Sequence, residues 1–385
     1  MVDNEVLSAS DGLISTDIKS VVYRQKNPMY ESNQSGSKIE RSETWCYISG
    51  KVCVLESFLL KRDFFERLIN LEKHEDVFLT LSDSPLKEYF VHIERLYESE
   101  KILEERYFNE IFEIRKFSPN PILSNIFLIK YDFVNLKNFL KELLAGIPRE
   151  VPTPHPSFPL YVGEVGWGDS EWERLWKGER TGFHPIFEDA IRIIKELKES
   201  SPDLLSANPF IIDLVLDNAY LCYLAYMVSK LNVPLIKKYF DDYFIIKGTE
   251  IIMRAIANRS DMEQISKIFL RGIMQKDFFF KLLKCPLTEI RGWRGALLEV
   301  FPSKLVDEIF AGSSKNLFTQ FERLTDNYLL RKLQPAKVVT FGPERVFGYL
   351  CGLTTETYNL RLTLGGKVNM VNTDLIKESL RELYV

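Results

Sequence analysis

The sequence predicts an all-α protein, and three observations carry the prediction. Apolar residues recur at three-to-four spacing through most of the chain, the period of a helix with one buried face. The strict apolar–polar alternation of a half-buried strand is missing from the strongly patterned segments. The chain also closes on NTDLIKESLRELYV, which carries the cap and stripe of a helix.

The elements follow in order. Residues 1–40 are polar and weakly periodic, ending in ESNQSGSK, and read as a loosely docked N-terminal arm. From Trp45, YISGKVCVLESFLLKRDFFERLI sets Val52, Leu55, Leu59, Phe64 and Leu68 at helical spacing. In ERLYESEKILEERYFNEIFEIRKF, Leu96, Leu103, Tyr107, Ile111 and Ile114 form one stripe, and glutamates fill the other face as a solvated surface. Residues 41–147 thus make a first helical module. Over 148–185, proline, glycine and tryptophan replace the periodicity, giving a linker or structured excursion that Trp167, Trp172 and Trp176 pin to its own domain. Helical patterning returns at IFEDAIRIIKELKES and runs through a second module, 186–270, and a third, 271–385. In the last segment Asn372 or Thr373 is the N-cap, and Ile376, Leu380, Leu383 and Tyr384 share one face.

Composition narrows the function classes. Lys and Arg number 50 against 54 Asp and Glu, a net charge of −4, and this balance argues against nucleic acid as the main partner. The cysteines Cys46, Cys53, Cys222, Cys285 and Cys351 stand at unrelated spacings without a CxxC, so they read as small core residues in a reducing cytoplasm. The N-terminus lacks the charged-then-apolar order of a signal peptide. The longest apolar run, NAYLCYLAYMV at 218–228, is too short to span a bilayer, so any work at a membrane is done from outside it.

No chemistry-bearing constellation emerges. None of His74, His92, His155 and His184 has the neighbours a zinc site needs, and His155 and His184 adjoin prolines in loops. There is no G-x-S-x-G elbow, Walker loop or dinucleotide fingerprint. LGGK at 364–367 reads as a helix C-cap, with Gly365 or Gly366 left-handed. Paired carboxylates such as Asp241–Asp242 and Glu104–Glu105 arise by chance in so acidic a chain. The reading assigns no catalytic residue, no cofactor and no metal ligand.

Two patterns remain. Asp132 precedes Lys137 by five residues, with Asn135 between; Asp242 precedes Lys247; and Glu356 precedes Arg361, with Asn359 between. The acids lie 110 and 114 residues apart, the signature of a threefold internal repeat. Each acid is expected in the first turn or cap of a helix, with its base further in. The other pattern is GPERVFGYLCGLTTETYNLRLTLGG at 342–366. Gly342 permits an unusual turn, Pro343 suits the first helical position, and Glu344 complements the helix start. Two short helices with a tight joint, ending at Gly365–Gly366, are expected.

These residues also resemble a known family, the C subunits of V/A-type rotary ATPases, whose eukaryotic counterparts are the d subunits. The resemblance rests on Gly342, Pro343 and Glu344, the pair Gly348 and Tyr349, then Glu356, Asn359, Leu360 and Arg361, and the closing Leu380, Arg381, Glu382 and Tyr384. Near the start, Tyr47, Val52, Leu55, Glu56, Leu59 and Leu60 match, with Gly50 and Lys51 as departures; Ile245 stands where the second repeat would carry its Asn. The likeness covers about 45–145 and 210–385.

The resemblance implies three similar helical modules around a pseudo-threefold axis, forming a funnel without catalytic residues. It implies a socket between the central stalk shaft subunits and the membrane proteolipid rotor ring, passing torque in ATP-driven ion transport or ATP synthesis. Such a chain is cytoplasmic, with membrane contact only through the ring, and binds no nucleic acid. Asp132, Asn135, Lys137, Asp242, Lys247, Glu356, Asn359 and Arg361 are assigned to closing the modules, and a cavity lined by polar groups is expected to accept the shaft. Two other readings compete: a helical scaffold or adaptor, and an enzyme whose 148–185 loop closes over His155 or His184.

Overall fold

In the computed structural model the described residues are 42–91, 95–146, 168–179, 182–200, 205, 208–258, 262–269, 276–285, 290–311 and 317–385. All regular structure among them is helical. The N-terminal region holds α1 (Cys46–Glu56), α2 (Arg62–Asn70), α3 (His74–Ser82), α4 (Lys87–Phe90), α5 (Ser99–Phe117) and α6 (Ile122–Ala145). Next come α7 (Asp169–Lys177), α8 (Pro185–Ser200), α9 (Phe210–Ser229), α10 (Pro234–Ala257) and α11 (Met262–Phe269). The last are α12 (Lys276–Lys284), α13 (Ile290–Leu298), α14 (Ser303–Phe310), α15 (Leu317–Lys332), α16 (Pro343–Val368) and α17 (Thr373–Ser379).

Six of the seven described helices of 16 residues or more organise the rest: the sequential pairs α5–α6, α9–α10 and α15–α16, the last joined through a 3-10 turn at Gln334–Val338. The second member of each pair packs against the first member of another: α6 on α9, α10 on α15, and α16 on α5. The predicted stripe of α5 is buried throughout, Leu103, Tyr107, Ile111 and Ile114 included. Around α9 the apolar residues run on every side, so the helix is long and apolar enough to cross a membrane by length and composition. Most of it is buried against α6, α8, α10 and α11 instead, which makes it a core helix. A second, smaller core forms where Phe64, Phe65 and Leu68 of α2, with Val77, Leu81 and Phe90, meet Leu360 and Leu364 of α16.

Several expectations change. The stretch 342–366 is not a helical hairpin but one continuous helix, α16. Three of its glycines, Gly348, Gly352 and Gly366, serve packing: a Cβ on Gly352 would lie 2.7 Å from the Tyr384 Cβ, and one on Gly366 would lie 2.6 Å from Ile376 Cδ1. Gly365 and Gly366 do not cap the helix. After Val368 the chain turns at Met370, whose φ of 53° is left-handed, with Val371 N–H donating to the Gly366 carbonyl and Met370 N–H to that of Lys367, the paired bonds of a Schellman turn. Gly342 is extended (φ 164°) and needs no special backbone, while Pro343 occupies the first turn and Glu344 follows it. The last helix stops at Ser379, so Leu380, Leu383 and Tyr384 lie on a non-helical tail; Asn372 is its N-cap, accepting from Asp374 N–H at 2.7 Å. Within 148–185, Trp172 and Trp176 fall on a regular helix, α7, and buried Trp172 stacks on Phe183 and packs against Phe187. Residues 1–40, His92, His155 and Trp167 lie outside the described residues.

Met370 is exposed and holds a conformation that favours glycine. Met370→Gly is therefore expected to raise unfolding stability by about 0.5–1 kcal/mol, because a left-handed residue with a Cβ costs about 1–2 kcal/mol and glycine recovers most of it. Chemical denaturation of the two chains checks this.

Candidate functional site

The six long helices surround one cavity of about 360 Å³. Each contributes to its wall: Tyr107 from α5, Phe127 from α6, Tyr220 from α9, Tyr243 from α10, Asp326 from α15 and Phe347 from α16. Aromatic faces dominate: α10 sets Tyr239 and Phe240 against Phe347, with ring centroids 5.2 and 5.6 Å from it, and Tyr243 packs on both from one turn further along. The Tyr220 and Tyr243 hydroxyls lie 3.4 Å apart, and burial holds both phenols well above their usual range.

The three repeated clusters sit on the helices that ring this cavity. They lie in mid-helix and not at caps: Asp132, Asn135 and Lys137 on α6, Asp242 and Lys247 on α10, Glu356, Asn359 and Arg361 on α16. Their partners lie on the neighbouring long helix. Lys137 pairs with Asp217 at 2.5 Å and Lys141 with Asp213 at 2.7 Å, both on α9. Lys247 pairs with Asp326 at 3.4 Å, and Asp242 with Lys332 and the Tyr328 hydroxyl, all on α15. Arg361 reaches Glu100 at 2.7 Å and Glu104 at 3.2 Å, and Glu356 reaches Arg106 at 2.6 Å, all on α5. In every pair, higher numbers on one helix meet lower numbers on the other, so these are three antiparallel ladders. In terms of the expected modules they lead from first to second, second to third, and third back to first. Asp132 is fully buried.

The family-signature residues converge on one node. Glu356, about 1% exposed, accepts from the Leu60 N–H as well as from Arg106. Burial alone would weaken the Arg106 guanidinium's hold on its proton; Glu356 more than offsets this and keeps it above its ordinary value. Asn359 bonds the Arg381 backbone twice, accepting from its N–H and donating to its carbonyl, each at 2.9 Å. That is how a strand neighbour would bind, and it holds the tail out of helix. Arg381 then pairs with Asp326 at 3.1 Å, and Asn327 accepts from the Glu382 N–H. Tyr384 lies against Gly348 and Gly352, where no side chain intervenes. Tyr349 donates to Glu110, Arg345 pairs with Glu56, and the Gly342 N–H donates to Ser49.

Sequence reading found one side of each ladder and missed the other. The i,i+4 spacing of Lys137 and Lys141 mirrors that of Asp213 and Asp217, a complementarity that marks facing helices. Glu104, read as part of a solvated surface, is buried, and so is Arg106 beside it. The His184 Nδ1 accepts from the Ile186 N–H and its ring packs on Tyr223 and Tyr226. Burial, with Lys230 nearby, lowers its pKa. No group of three or more His, Cys, Asp or Glu is placed to hold a metal ion among the described residues.

Comparison with known sequences gives two findings. The family described as ATP synthase (C/AC39) subunit matches residues 48–379. The C subunit of the V-type sodium ATPase of Enterococcus hirae is 23% identical over 329 residues, covering 85% of this chain and 94% of that protein.

Two outcomes are expected. Glu356→Gln leaves the buried Arg106 without its carboxylate and lowers stability by about 3–5 kcal/mol, read by denaturant unfolding; an unchanged melting temperature would contradict the node. Burial, only partly countered by Arg361, pushes Glu104 up to about 8 from an ordinary 4.5. The folded state therefore holds a proton that the unfolded chain releases. Its stabilisation is complete below about pH 4.5 and is lost as pH rises to about 8. Glu104→Gln is expected to flatten the stability–pH curve across that window.

Proposed function

The chain belongs to the ATP synthase (C/AC39) subunit family, and from that premise we propose that it is the non-catalytic socket of a V-type rotary ATPase. In this reading it joins the central stalk shaft to the membrane rotor ring and passes torque between them. The observation that carries the reading is a cavity lined by α5, α6, α9, α10, α15 and α16, which three ion-pair ladders join pair to pair. The end of a shaft needs a seat whose walls do not spread under load. A ring in which each helix pair grips the next, and the last returns to the first, resists spreading in every direction.

The ladders support the further reading that Asp132, Asn135, Lys137, Asp242, Lys247, Glu356, Asn359 and Arg361 close three modules around a pseudo-threefold axis. The wall chemistry fits a partner that assembles from solution: tyrosine hydroxyls, Thr354 and Thr355 stand beside the aromatic faces, giving a surface that tolerates water when empty. Packed helices are as dense as molecular crystals and transmit strain with little give. Contacts that must hold during rotation are expected to be large, on the order of 2,000 Å² or more. The chain works outside the bilayer, reaching the membrane through the ring.

Affinity capture of the tagged native chain from gently solubilised membranes tests the reading. Recovery of the shaft subunits together with the membrane ring is expected; recovery of unrelated soluble proteins alone would leave a helical adaptor.

A further inference from the structure

Five charged side chains line the cavity, and three are already matched. Lys247 pairs with Glu250 at 2.8 Å and with Asp326. Arg381 pairs with Asp326 and lies over the Tyr358 ring, 4.4 Å from its centroid. The other two, Lys130 on α6 and Glu322 on α15, have no ion-pair partner among the described residues. Lys130 instead lies over the rings of Tyr131 and Tyr107, at 4.7 and 5.6 Å. Burial raises the proton affinity of Glu322, with Lys247 opposing and Asp326 reinforcing the effect. Both side chains are half-buried.

A half-buried charge with no counter-ion in direct contact, in a partly closed, aromatic-walled cavity, gains from a complementary guest. The two charges are of opposite sign and come from different helices, so they call for a guest with separated charges. The same cavity is lined by the apolar rings of Phe127, Phe240 and Phe347. The volume, at the small end of ligand-sized clefts, is too small for a whole helix and large enough for the side chains of one turn. On a helix, an acid and a base three or four residues apart share a face.

We propose that Lys130 and Glu322 form a two-point electrostatic seat, whose guest is the end of a partner helix. That helix end presents an acidic side chain to Lys130, a basic one to Glu322, and apolar residues to the aromatic floor. The inference rests on the socket reading, with the shaft as the partner, and adds the chemistry by which the shaft end is recognised and its orientation fixed. Charge pairs of this kind set register and partner choice more than bulk affinity.

The test is titration calorimetry of the full chain with the purified shaft subunits of the same assembly. Lys130→Glu and Glu322→Lys are each expected to weaken binding at least about tenfold. Reversals at exposed residues away from the cavity, Glu188→Lys and Lys238→Glu, are expected to change it by no more than about twofold. The size-matched neutral variants Lys130→Met and Glu322→Gln decide the matter should a reversal fail to fold, and are expected to weaken binding in the same direction. Binding by the wild type with no loss in any cavity variant overturns the two-point seat and leaves the socket standing. No binding of the shaft subunits by the wild type removes the socket reading, and the seat with it.

Discussion

Helix α16 is buried along most of its 26 residues, and that constraint shapes the molecule. It packs against α1, α2, α5, α6, α10 and α17, so it has almost no solvent-facing side on which to place its polar groups. Glu356, Asn359 and Arg361 must each find partners inside the protein, since a buried charge or amide left alone costs several kcal/mol. Glu356 takes Arg106 and the Leu60 N–H, Asn359 takes the tail backbone, and Arg361 takes the α5 carboxylates. The N-terminal helices and the last residues are thereby tied to one rod. The same crowding explains Gly348 and Gly352, which leave room for Tyr384.

In the proposed socket, the arrangement would link local chemistry to mechanical function. Ladders on exposed helices would contribute little, because solvent and salt screen them. Here many of the groups are largely buried: Glu356 and Arg106 nearly fully, and Lys137, Asp217 and Asp242 mostly. Hydrophobic packing supplies the cohesion, and the ion pairs fix which helix meets which and in what register. A part that transmits torque needs both, since a core alone permits sliding and charges alone permit spreading.

How much of this was legible in the sequence depended on distance along the chain. Periodicity within one helix was readable, so the all-α class and the α5 stripe were recovered. The signature from Gly342 to Tyr384 marked the family because its residues answer one another across α16 and the tail. Its glycines misled: Gly365 and Gly366 looked like a stop, yet a glycine in a long helix can equally make room for a neighbour, and only the packing of Ile376 distinguishes the two. The tail after Ser379 carries a helical apolar pattern, but the Asn359 side chain competes for its backbone from 22 residues away. The acid–base clusters were visible, whereas their partners lie about 80 residues ahead or some 250 behind, beyond any local pattern. Lys130 and Glu322 carried no sequence signal, because being unpaired is a property of the assembled cavity.

The most direct measurement is an electron cryomicroscopy reconstruction of the intact ATPase containing this chain. The account predicts the chain on the rotation axis between shaft and ring, with the end of the shaft entering the space enclosed by α5, α6, α9, α10, α15 and α16. A chain found off the axis, bound to the stationary parts of the complex, or on the axis with that space empty would contradict it.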